Sequence, residues 1–364
     1  MNHSNLKKTR IIGLDIYRLI AIVLITNIHY FGYSHLISNQ NLLPFNKLFV
    51  LVSTSFTPCF VDMFVVLTGY FLCSRENKIS RLVNLWFQAF IVGLLMLLIC
   101  TIISPQSISL KSIVHTFFPI STFTYWYLIP YAFLFVLTPY INSILNMINR
   151  PRLLKTILLL GGVMCTIEIH PIVSLDWFIG NHMSIIWFIY IYIIGAYIGK
   201  YGFSLKSKTW LLIGLISMSL MLCIKILNLQ LPGEMRLNSF CSPLPLLLSL
   251  SLFYFLSHIR TIGKITDKII SSLSISSLCV YLVQEQDSFR ALFWQNADVS
   301  SYAHSSFLIW HWILIIILLF TLGWITYEIY LYLYIKNLLP RVVIPFTKFY
   351  NALVKRCINL FYKQ

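Results

Sequence analysis

Charge is scarce in this sequence, and acidic charge scarcest of all. Only 10% of the 364 residues are charged, with 11 Asp and Glu against 27 Lys and Arg. A soluble domain carries roughly a quarter charged residues, so a water-exposed globule of this size could not be given a polar surface. There is no phosphate-binding Gly-rich loop, no His-Glu-x-x-His and no Gly-x-Ser-x-Gly, which removes P-loop, zincin and α/β-hydrolase chemistry. The eight cysteines stand singly with no Cys-x-x-Cys, so they read as small apolar core residues, and no metal site is expected. An internal repeat of the transporter kind is missing. So is any non-spanning stretch long enough to fold a second core.

What the sequence does have is apolar and aromatic residues. Hydrophobic residues make up 58% and aromatics 16%, with a mean hydropathy of +0.80. Ten apolar segments can be read, at about 12–34, 45–73, 82–104, 127–147, 153–170, 184–199, 209–229, 241–258, 270–289 and 305–335. They predict an all-α, polytopic membrane protein with about ten transmembrane helices.

The net charge of +16 suggests nucleic acid until its placement is considered. With the N-terminus inside, the inner connections hold Lys7, Lys8 and Arg10; Arg75, Lys78 and Arg81; Arg150, Arg152 and Lys155; Lys200, Lys206 and Lys208; and Arg260, Lys264 and Lys268. The C-terminal tail adds Lys336, Arg341, Lys348, Lys355, Arg356 and Lys363. Outside remain Lys47, Lys111, Lys225, Arg236 and Arg290, and Arg18 falls within the first span. This alternation follows the positive-inside rule. It predicts both termini in the cytoplasm and no nucleic-acid partner. The first apolar run is too long for a signal-peptide core and lacks a cleavage pattern, so it reads as a retained signal anchor. Residues 1–335 then form the transmembrane domain. Residues 336–364 form a basic tail, either an amphipathic helix on the anionic membrane lipids or a solvated one.

Ionisable residues within spans carry the chemistry, because each destabilises by several kcal/mol unless paired or hydrated. Asp15, Arg18 and His29 share the first span. Arg18 and His29 lie eleven residues apart, on nearly one helix face and ~16 Å apart in depth. Asp15 is one turn from Arg18, where the two can pair. Asp62 is buried in the second span and requires a partner. Thr68 and Gly69 follow it and suit close helix approach. Tyr125, Trp126 and Tyr127 enter the fourth span as an aromatic belt. Glu285, Asp287 and Arg290 close the ninth span, and His311 and Glu328 interrupt the tenth.

In order and position these residues resemble the acyltransferase 3 family of bacterial membrane O-acyltransferases. The resemblance rests on Leu14-Asp15-x-x-Arg18 followed by ten residues and His29, and on Val61-Asp62-x-Phe64 with Thr68-Gly69-Tyr70. It continues through Trp126-Tyr127-Leu128, Pro139-x-x-Asn142 and Val280-Tyr281-Leu282. It implies transfer of an acyl group, usually acetyl, from cytoplasmic acyl-CoA to a sugar hydroxyl of a surface polysaccharide or its lipid-linked precursor. It also implies a place in the bacterial inner membrane. His29 would be essential and Arg18 important. Two departures stand out. Lys78 and Arg81 replace the family's pair of arginines, and lysine lacks the bidentate fork. Gln284 follows the late Tyr-Leu where the family often has histidine, which puts a catalytic role for that segment in doubt.

The mechanism these residues suggest docks CoA phosphates on Lys78 and Arg81, helped by Arg18, and runs the pantetheine arm up the first span. His29 acts as general base or as acyl carrier. Asp15 neutralises Arg18, and Asp62 orients a polar partner or the histidine itself. Thr68, Tyr70, Trp126, Tyr127 and Asn142 wall the substrate site. Acyl-CoA is a substrate here, and no cofactor stays bound. A flippase of lipid-linked oligosaccharide is the rival from another class. A membrane O-acyltransferase using His311 is the rival enzyme.

Overall fold

The computed structural model describes residues 10–34, 36, 42–122, 124–169, 185–228 and 239–361. Lys7, Lys8, Arg236 and Lys363, the connection 171–183 and most of 229–240 lie outside the described residues. The helices in chain order are α1 Ile12–Tyr33, α2 Pro44–Ser55, α3 Cys59–Leu72, α4 Ile79–Ile103, α5 Leu110–Phe117, α6 Leu128–Met147 and α7 Arg150–Ile169. They continue with α8 Ile185–Tyr201, α9 Ser207–Asn228, α10 Pro243–Ser257, α11 Lys264–Glu285, α12 Asp287–Asn296, α13 Leu308–Leu333 and α14 Ile344–Phe361. The described residues contain no strand. Each apolar segment read from the sequence falls on helix. Seven stretches have the length and hydropathy to cross a bilayer, whereas α8 and α10 are shorter. The protein is an all-α, multi-pass membrane protein.

The predicted span 45–73 is broken. Pro58, followed by Cys59, separates α2 from α3, and Thr57 bonds the Thr54 carbonyl at the break. Proline removes a backbone donor, so a carbonyl one turn earlier must find another partner. Pro139 inside α6 shows the same rule. The Phe135 carbonyl it frees accepts from the Asn77 amide and from the Thr138 hydroxyl. Connections between the spans also hold helices of their own. α5 is closed by a reciprocal Ser109–Ser112 capping box. The ninth segment ends at Glu285 rather than 289, because the Gln286 side chain caps α12 through the Phe289 N–H. At the far end, α13 runs without a helical break through a π-wound stretch, Tyr334–Val343, into α14.

Pairing directions follow the alternation of the spans. α1 and α11 run parallel, since Arg18 meets Ser274, Thr26 meets Gln284 and His29 meets Glu285. α3 and α8 are also parallel and pack closely. A Cβ on Gly69 would lie 2.2 Å from the Tyr192 carbonyl, and one on Gly195 would lie 2.3 Å from the Val66 carbonyl. α1 and α10 are antiparallel, with Gly13 against Leu256 and Tyr17 bonded to the Ser249 carbonyl. α1 is therefore central, packed on α3, α10 and α11, and its polar side chains face protein rather than lipid.

Candidate active site

One end of the α1–α11 seam is organised around Asp15. This buried carboxylate takes a bidentate pair from Arg10 and hydrogen bonds from Ser271 and Ser274. Arg18 stands 3.5 Å from it and donates to the Ser274 hydroxyl at 2.9 Å. The expected Asp15–Arg18 pair is present, but Arg10 is the closer partner. The serines of α11 supply small polar groups where two helices must meet around charges.

Eleven residues further along α1, the His29 ring lies between two consecutive residues of α11. Nδ1 is 3.1 Å from Gln284 Oε1, and Nε2 is 3.0 Å from Glu285 Oε1. Only 11% of the histidine side chain and 5% of the glutamate side chain remain accessible. Glu285 also accepts from the Tyr33 hydroxyl and from Arg290, and Arg290 in turn reaches Asp287, which binds His115 of α5. Tyr33 stacks on His29 with ring centres 5.4 Å apart. Burial works against the charge on Arg290, but Glu285, Tyr33 and Asp287 outweigh it and raise the guanidinium above its usual range. The carboxylate that orients His29 is therefore itself held by a cation.

Between these two ends lies a cavity of about 1070 Å³, at the upper limit of small-molecule sites, which run to about 1,000 Å³. Arg10, Arg18, Arg75 and Arg260 line it, with Asp15 as their one acidic neighbour in the lining. Its apolar and aromatic walls include Phe64, Trp126, Tyr127 and Tyr281. The lining stops at Ile25 and Tyr281, one helical turn short of His29. A second pocket of about 240 Å³ contains Arg81, and Leu85, Gln88 and Tyr131 border both spaces. One terminal nitrogen of Arg81 is buried with no hydrogen-bond partner.

A family model described as an acyltransferase domain, acyltransferase 3, matches residues 11–328. The chain belongs to the acyltransferase 3 family. No curated protein and no solved structure matches it.

Within this acyltransferase, the residues singled out from the sequence divide into three groups. Asp15, Arg18, Thr68, Tyr70, Trp126 and Tyr127 line the cavity together, and His29 lies just beyond it. Arg81 sits in the adjoining pocket. Lys78, Asn142 and Asp62 lie elsewhere. Lys78 keeps 64% of its side chain exposed, and its ion-pair partner is Glu76 at 3.9 Å. Asn142 donates to the Leu72 carbonyl and accepts from Tyr192, outside the cavity lining. Asp62 is fully buried and accepts from the Trp187 indole at 3.0 Å, and its second oxygen has no partner. His311 bonds the Tyr30 hydroxyl and stacks on Tyr302 at 4.2 Å, outside the cavity lining.

Sequence reasoning missed the role of the late segment. Gln284, counted as a departure, is a direct partner of His29, and Glu285 is the other. The available signal was a glutamate within an apolar run, which requires a buried partner. Arg75 and Arg260 were read as topology charges, yet they line the cavity.

Proposed function

We propose that this acyltransferase moves an acyl group, acetyl in the simplest case, from acetyl-CoA to a sugar hydroxyl of a bacterial surface polysaccharide or its lipid-linked precursor. The reading places the chain in the inner membrane with both termini cytoplasmic. The observation that carries it is the alignment of three features along one helix: an arginine-lined cavity, an aromatic throat, and a histidine held by a carboxylate at its far end. Four arginines against one aspartate suit the phosphates of CoA. The throat suits the thin pantetheine arm, and the ~16 Å between Arg18 and His29 gives the arm its reach.

The spacing supports direct transfer. A carbonyl carbon at the level of Ile25 and Tyr281 lies about 6 Å along the helix from His29. A hydroxyl oxygen about 3 Å from that carbon and hydrogen-bonded to the imidazole at about 2.8 Å fills this gap. The incoming hydroxyl displaces the neutral Gln284 amide rather than the charged Glu285, whose hydrogen bond is the stronger. Nδ1 then takes the hydroxyl proton while Glu285 stabilises the developing imidazolium through Nε2–H. The sugar oxygen bonds to the carbonyl carbon, the C–S bond breaks, and the imidazolium returns its proton to the CoA thiolate. Water is kept out by the buried surroundings of Gln284 and Glu285.

The experiment is incorporation of label from radiolabelled acetyl-CoA into glycan in membranes of the producing cells. His29→Ala should abolish it at normal protein level, and undiminished incorporation would end the proposal. Mass spectrometry of the glycan should show the loss of an acetyl increment per modified sugar.

A further inference from the structure

We infer that Tyr281 is a catalytic residue of this site, its phenol O–H donating to the oxyanion that forms when the sugar oxygen adds to the thioester carbonyl. The inference rests on the acyl-transfer reading above and adds to it the group that holds the negative charge.

Acyl transfer creates charge in two places. The imidazolium is met by Glu285. The carbonyl oxygen gains a full negative charge in a site with little water and needs a donor already aimed at it. Among the side chains that line the inner end of the cavity, Tyr281 meets the geometric requirements. The parallel register of α1 and α11 sets Tyr281 at the level of Ile25, since Arg18 lies opposite Ser274 and His29 opposite Glu285. The ring therefore stands one turn before the Gln284–Glu285 pair that grips the histidine, at the depth where the thioester carbonyl must stop.

The phenol is also prepared for donation. Its oxygen accepts the backbone N–H of Tyr127 at 3.4 Å, which uses a lone pair and leaves the proton for a ligand. Among the described residues no group accepts that proton. The ring is fixed on both sides by Tyr125 and Tyr127, with centroids 6.2 and 6.4 Å away, and the side chain is 4% exposed. A donor held in this way needs no reorganisation as charge develops.

The chemistry balances without another reactant. The sugar oxygen forms a bond to the carbonyl carbon and the C=O π pair moves onto oxygen, where Tyr281 donates a hydrogen bond. The pair then returns, the C–S bond breaks, and the thiolate takes the proton that His29 had accepted. Tyr281 keeps its own proton throughout.

The test is Tyr281→Phe, which keeps both ring contacts, assayed beside His29→Ala by label transfer from radiolabelled acetyl-CoA to native glycan in membranes. The expected result is a fall in kcat of about 10²–10³-fold with KM for acetyl-CoA within about twofold of wild type and an unchanged melting temperature. A kcat within threefold of wild type, or a loss confined to KM, would overturn the assignment. If His29→Ala is inactive while Tyr281→Phe is normal, only the tyrosine assignment fails; if His29→Ala is fully active, the acyl-transfer reading fails with it.

Discussion

Replacing Glu285 with glutamine isolates the contribution of the carboxylate that faces His29. The substitution is isosteric. It removes the charge 3.0 Å from Nε2 and turns one of the two accepting oxygens into an amide donor, so the remaining oxygen can keep Tyr33 or Arg290 but not both. Glu285 is 5% exposed, so solvent does not replace the lost charge. Removing one partner of a buried charged pair is worth about 3–5 kcal/mol. At 1.36 kcal/mol per decade of rate, a loss realised fully in the transition state slows turnover by roughly 10²- to 10⁴-fold. Arg290 keeps Asp287 at 3.1 Å, so the fold should survive and the melting temperature should change little. The arginines that line the cavity are untouched, so under the proposed reading KM for acetyl-CoA should stay within about twofold. The assay is initial-rate label transfer in membranes, with protein quantified by immunoblot. Wild-type kcat in Glu285→Gln, or a defect seen only in KM, would refute the reasoning. Either result would mean that His29 does not gain positive charge in the rate-limiting step.

Three further outcomes follow from the same geometry. Arg75→Ala and Arg260→Ala should each raise KM for acetyl-CoA about tenfold, as expected for loss of a charge-assisted contact worth about 1.5 kcal/mol, whereas the exposed Lys78→Ala should leave KM unchanged; steady-state kinetics at two salt concentrations reads both. Gly195→Ala places a Cβ 2.3 Å from the Val66 carbonyl and should destabilise by about 1–3 kcal/mol through overpacking, seen as a lower melting temperature in detergent. Asp62→Asn should retain activity within about threefold, because the carboxylate bonds Trp187 and does not touch His29; a loss as large as that of His29→Ala would return Asp62 to the catalytic set.

How much could be read in advance depended on the range of the interaction. The helices were legible, because each is a run of apolar residues dictated by the bilayer. Breaks within helices were less so. The interruption at Pro58 is local chemistry that an averaged hydropathy window hides, and the end of α11 at Glu285 depends on a single side-chain cap from Gln286. In the site, Arg18 and His29 were legible as one face of one helix, since their spacing is a property of α1 alone. Their partners were not. Ser274, Gln284 and Glu285 lie more than 250 residues away, and no periodicity within a segment encodes the register between α1 and α11. For the same reason the partner of Asp62 was not foreseen. Its need for a partner was correctly inferred, but nothing in the sequence names Trp187 as that partner.

That register also explains why the charges are divided as they are. Because α1 and α11 run parallel and end near the same level, their C-termini, at Tyr33 and Glu285, converge around His29. The negative ends of the two helix dipoles favour a cation within the last turn by about 0.3–1 kcal/mol, and up to about 2 kcal/mol in partly buried geometry. In the proposed mechanism the imidazolium of His29 is such a cation. At the other end, the N-terminus of α1 opens on the cavity beside Arg10 and Ile11. Its first N–H groups are taken by the Arg260, Ile259 and Ile11 carbonyls, so it is the positive end of the helix dipole rather than free donors that favours an anion there. An antiparallel pair would have placed one helix of the wrong polarity at each end. The parallel pair instead sets both helix dipoles in one sense, so that in the proposed reaction the positive end of α1 lies on the side assigned to the CoA phosphates and the negative ends lie on the side assigned to the imidazolium.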